Sequence, residues 1–167
     1  METPQSINLW AEQTFPPRDP LTVASRGNIE LSELVSALIN NADKEEIASE
    51  IADVFIVLCQ VSELLGVNYS LILDFLEEDI ALFEKKYPDI NSIGTSIRLG
   101  SFCYELMYFI DMSVSSEYEN IFRKIYTLIH KFVRLEEIDL QAEVDKKMQI
   151  NRARQWKQTK SGHFQHT

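Results

Sequence analysis

The chain has 167 residues and 45% apolar content, enough for one globular domain with a sizeable core and too apolar for a disordered segment. Its formal net charge of −10 excludes a general nucleic-acid binder, which needs cations to neutralise phosphates. The longest apolar run, VFIVLC at 54–59, is far shorter than the roughly 20 residues of a membrane span, so no membrane partner is expected.

The N-terminus METPQSINLW lacks the apolar stretch of a secretory signal. Residues about 5–12 can form a short helix that ends before the FPPRDP loop. A helix is expected from about Leu21 to Asn40, with Leu31, Leu34, Val35 and Leu38 at helical spacing. Asn40 and Asn41 break it, and Asp43 can cap the next helix with Glu46 as its capping-box partner. That helix, about 44–65, carries Ile47, Ile51, Val54, Phe55, Leu58, Val61 and Leu65 on one broad face and stops at Gly66.

Further helices are expected at about 69–86, 93–112, 117–136 and 139–157, and no stretch alternates long enough to demand a strand. The fold class is therefore all-α, a helical bundle of about five to six helices in a single domain over 1–167. Cys59 and Cys103, the two cysteines, sit in apolar helical patterns and read as reduced core residues, which points to the cytoplasm. The halves 1–88 and 93–157 also align weakly: Glu33–Leu34 matches Glu105–Leu106, as in a degenerate tandem repeat or fused pseudo-dimer. Any two amphipathic helical hairpins share part of that likeness.

Charge is unevenly spread. From Ile29 to Val54 there are seven acids against Lys44 alone, whereas Lys146, Lys147, Arg152, Arg154, Lys157 and Lys160 follow one another with no acid between or after them. Within the acidic stretch, Glu30 and Glu33 lie three apart on one helix, and Glu50 and Asp53 three apart on the next. Such pairs are neighbours, separated by roughly 4.5 Å along the axis. A short connection makes the two helices antiparallel partners, so the pairs can converge. Converging carboxylates repel, and a hard divalent ion such as Mg²⁺ resolves the repulsion. Four carboxylates can hold one ion, or two at the roughly 3.5–4 Å spacing used for phosphoryl displacement.

Spacing alone is weak evidence, because Asp43/Glu46, Asp74/Glu77 and Glu136/Asp139 share it and describe solvated faces equally well. Position separates the candidates: Glu50 borders the Ile47/Ile51/Val54 stripe, Asp53 lies beside it, and Glu30 adjoins the apolar face of its helix. A di-iron carboxylate bundle is excluded, since no Glu-x-x-His pair occurs and His130, His163 and His166 are scattered.

The sequences ELSE at 30–33 and EIAD at 50–53, followed by DVFIVLCQVSELLGV, resemble the Glu-x-x-Glu and Glu-x-x-Asp hallmark of the all-α nucleoside triphosphate pyrophosphatases. These are the MazG-like enzymes, which include the all-α dUTP and dCTP pyrophosphatases. KKMQINRARQW at 146–156 is similar to a C-terminal element of many relatives, with Lys147, Asn151, Arg154 and Trp156 at matching spacing. The likeness is poor over about 88–135. In the second half Phe102, Ile121 and Lys124 stand where the first half has Glu30, Glu50 and Asp53, which implies one metal site per chain.

The resemblance implies hydrolysis of a nucleoside triphosphate to monophosphate and pyrophosphate in nucleotide-pool housekeeping. It implies Mg²⁺, or Mn²⁺ in its place, on Glu30, Glu33, Glu50 and Asp53, with Glu50 and Asp53 catalytic. Lys147 and Arg154 would bind outer phosphates, Asn151 a phosphate or sugar, and Trp156 or Trp10 the base. Arg26, one turn before Glu30, reads better as an ordinary surface arginine. The alternatives are a helical interaction module with solvated acids, a nucleotide-binding relative without turnover, and phosphoribosyl-ATP hydrolysis. A homodimer is compatible with all of them.

Overall fold

The computed structural model describes residues 1–158 and 164–166. Seven α-helices are present among them: α1 Pro4–Thr14, α2 Pro20–Ile39, α3 Lys44–Leu64, α4 Tyr69–Lys86, α5 Ser92–Asp111, α6 Tyr118–Leu135 and α7 Leu140–Ala153. The bounds follow local chemistry. Thr3, Asp19, Asp43, Asn68, Asn91 and Asp139 each accept a hydrogen bond from a backbone N–H in the first turn of the following helix. Pro4 and Pro20 stand in first turns, where the missing N–H is not needed. Gly66, at φ 70°, closes α3 in the left-handed region that glycine enters without strain.

The all-α class holds, with one helix more than the five to six expected of the bundle. Short α1 is a full partner, because Ile7 and Ala11 are completely buried and the helix packs on α3. The central bundle is made by α2 against α3, α2 against α5, and α5 against α6, and α4 packs on α6 while α7 packs on α3. Each half of the chain thus lends its last helix to the other half. Ile51, Leu58, Leu34, Phe122, Tyr126 and Phe132 fill the shared core. No helix among the described residues is long and apolar enough to cross a membrane.

The C-terminal end departs from expectation. Helix 139–157 stops at Ala153, and Trp156–Gln158 forms strand β1, antiparallel to β2 at Phe164–His166 with Trp156 opposite His166. Trp156 Nε1–H donates to the Asn151 carbonyl at 3.0 Å, occupying the acceptor that the next helical N–H would use. The indole also seats among Trp10 and Phe15, with ring centroids 6.0 Å and 5.4 Å away. Three-residue strands are too short to leave an alternating signature. His163 and Lys160 lie outside the described residues.

Candidate metal centre

Glu30 projects from the middle of α2, and Glu50 and Asp53 from adjacent turns of α3, at the seam where these two helices pack. One oxygen from each of the three can be chosen so that all lie within 4.8 Å of one another. Glu30 is only 6% exposed, deeper than the half-buried Glu50 and Asp53. Glu33, the fourth expected ligand, is exposed and is not one of the converging three. It stands near enough to Glu30 and Glu50 to disfavour their ionised forms. One turn of α2 moves Glu33 outward along the seam, whereas Asp53, one turn along α3, stays inside.

Burial dominates the electrostatics. It pushes the Glu30 carboxyl up to about 8, against the pull of Arg26, and Asp53 and Glu33 add to the rise. Glu50 is raised by burial and then by the neighbouring Asp53. Asp53 is raised by burial too, although Lys147 and, less, Arg154 and Arg26 oppose the rise. Glu50 Oε2 is buried without any hydrogen-bond partner among the described residues.

Cations ring this acidic seam. Lys147 reaches across from α7, its Nζ 2.5 Å from Asp53 Oδ2 and 2.7 Å from Ser49 Oγ. Arg26 Nη2 lies 2.5 Å from Glu30 Oε1. Arg154 Nη1–H donates to Asn151 Oδ1 at 3.0 Å, so buried Asn151 fixes the arginine through its side chain and Trp156 through its carbonyl. Lys147 and Arg154, with Asn151 bonded to the arginine, therefore lie on the α7 side of the acids. Trp156 and Trp10 instead spend their rings on each other and on Phe15.

Arg26 is a correction, because it is part of the centre rather than an ordinary surface arginine. The four-residue spacing to Glu30 was its visible signal, and it gained meaning only once Glu30 proved buried. Ser49 is a second site residue that the sequence reading missed, and nothing in its spacing marked it.

No protein-family model, curated protein or solved structure matches the chain. The chemistry of the donors is then the available guide. Three residues offering hard oxygen donors within 4.8 Å of one another, with a buried Glu50 oxygen that lacks a partner among the described residues, fit a small divalent cation such as Mg²⁺, whose remaining ligands are water or phosphate oxygens. No thiol or imidazole belongs to the set, which disfavours softer ions.

Proposed function

We propose that the chain is a Mg²⁺-dependent nucleoside triphosphate pyrophosphohydrolase, with Mn²⁺ able to replace Mg²⁺. The reading is carried by one observation: carboxylates of Glu30, Glu50 and Asp53 converge from two helices, with a buried Glu50 oxygen unpartnered. These three residues would hold the ion, with Glu33 at the open edge. A bound divalent ion would offset charge on the phosphate oxygens and polarise them. Glu50, whose buried oxygen is left without a partner among the described residues, would share the catalytic role with Asp53, which also sets the position of Lys147.

Lys147 offers a point charge and Arg154 a planar fork to the outer phosphates, and Asn151 holds that fork in place. Half-buried Trp156, beside Asn151 and backed by the buried Trp10, would border the base. Base choice is left open by this geometry.

The MazG-like relationship and the degenerate repeat belong to the same proposal. In their favour, α4 lies on α6 as α7 lies on α3. Lys124 Nζ also stands 5.4 Å over the Phe102 ring, a cation–π pair at the positions that align with Asp53 and Glu30. On this reading the second half has exchanged its metal site for that pair, and each chain of a cytoplasmic monomer or homodimer has one centre. The second reading is a buried ion network without turnover, which the Arg26–Glu30 and Lys147–Asp53 pairs favour.

Pyrophosphate release with Mg²⁺, screened over dUTP, dCTP and the common nucleoside triphosphates, separates the two. Turnover of at least one substrate is expected, with a loss of roughly 10³-fold or more in Glu50→Gln and Asp53→Asn at unchanged helicity. Release that persists in both variants, or none from any substrate, overturns the enzymatic reading.

A further inference from the structure

The three clustered carboxylates are not equally satisfied. Glu30 Oε1 is held by Arg26 Nη2 and Asp53 Oδ2 by Lys147 Nζ, both at 2.5 Å, while Glu50 Oε2 has no partner. The two cations come from outside the α3 helix, one from α2 and one from α7. They approach the same small volume that the three carboxylates surround. A divalent ion drawn into that volume would sit a few ångströms from two like charges, in a partly desolvated seam where such repulsion is weakly screened.

Resting on the metal-centre reading above, we propose that Arg26 and Lys147 are exchangeable counter-ions. They hold the Glu30 and Asp53 oxygens while the seam has no metal, are displaced from them when a divalent ion loads, and are then released to bind the anionic substrate. Arg26 thereby becomes a second phosphate-binding cation beside Lys147.

Structural detail supports exchange over a permanent clamp. The Arg26 side chain is 37% exposed and has solvent to turn into, and its one ion pair, to Glu30, lies within a single helix, so its departure breaks no ion pair between helices. Lys147 is 13% exposed and keeps Ser49 Oγ at 2.7 Å as a second partner, a hinge that lets Nζ leave Asp53 without becoming stranded. Arg154 differs, since it forms no direct ion pair with the acids among the described residues, and its Nη1–H is taken up by Asn151 Oδ1, although its charge is still felt at Asp53. Metal and anion binding then reinforce each other, because each favours the arrangement in which the two cations face the substrate.

The test uses the full chain and Mn²⁺ alone, with no nucleotide, and counts unbound Mn²⁺ by its paramagnetic resonance signal. Arg26→Gln and Lys147→Gln remove one competitor each, and each should bind Mn²⁺ at least about threefold more tightly than the parent. Lys147→Arg keeps the charge and should stay within about twofold of it. Lys146→Gln removes a neighbouring cation that pairs with Glu143 rather than with the centre, and should also stay within about twofold.

Mn²⁺ affinity unchanged or weakened in both Arg26→Gln and Lys147→Gln overturns the exchange and leaves the metal reading standing. An equal gain in Lys146→Gln also overturns it, because bulk charge would then explain the effect. Absence of Mn²⁺ binding by the parent and every variant removes the metal reading and the exchange together. Arg26→Gln guards against a folding artefact at position 147, since its ion pair lies within one helix, whereas that of Lys147 joins α7 to α3.

Discussion

Glu30→Gln in metal-free protein tests the physics of the centre without any substrate. The carboxyl is pushed from its ordinary 4.5 up to about 8, chiefly by burial. Between those values the folded chain keeps a proton that the unfolded chain has released, so stability falls as pH rises through that window and levels off above about 8. At roughly 1.4 kcal/mol for each tenfold change in proton affinity, the full loss is up to about 5 kcal/mol. Local opening that admits water to the seam reduces it, and a working range is about 2–5 kcal/mol.

Glutamine has the same shape, still accepts from Arg26, and has nothing to ionise. In a metal chelator at pH 8.5, Glu30→Gln should therefore be more stable than the parent by about that amount. For a chain of this length that is a rise of roughly 5–15 °C in Tm. At pH 5 the difference should shrink below about 1 kcal/mol, and saturating Mg²⁺ should reverse the order, because only the parent gains the full binding contribution. Thermal unfolding followed by helical circular dichroism at three pH values, with and without Mg²⁺, measures all of this. A variant less stable than the parent at pH 8.5 in chelator would refute the reasoning. It would mean that the Arg26–Glu30 ion pair supports the fold and outweighs the cost of burying the charge.

Two further outcomes are expected. Lys147→Ala should raise KM for the turned-over nucleoside triphosphate by roughly tenfold, the usual worth of one charged hydrogen bond, and kinetics equal to the parent's would remove Lys147 from substrate binding. His130 is half-buried beside Tyr69, its Nε2 3.3 Å from the phenol oxygen, and desolvation there lowers it from 6.5 to about 4. Its contribution is intact above about 6.5 and lost as pH falls through about 4, so His130→Gln should flatten the acid side of the stability profile by up to about 3 kcal/mol. An identical acid limb in urea unfolding would contradict that assignment.

Much of the architecture was legible in the chain because helices answer to local rules. Asp43 before an apolar stripe, Pro20 in a first turn and Gly66 after Leu65 each act within a few residues, and the corresponding helix ends fell within a residue or two of expectation. The end of α7 was not legible, because it depends on an indole reaching an aromatic pair more than 140 positions away. Glu30, Glu50 and Asp53 could be nominated from spacing, but acid pairs at the same spacing occur elsewhere in the chain.

Which acids turn inward, that Glu33 stays outside, and that Arg26 and Lys147 close on the seam are consequences of how α2, α3 and α7 pack. Spacing of residues settles which side chains share a face of one helix. Only the packing of helices settles which faces meet, and burial at that meeting is what turns an ordinary carboxylate into one with a raised proton affinity and a use for a cation.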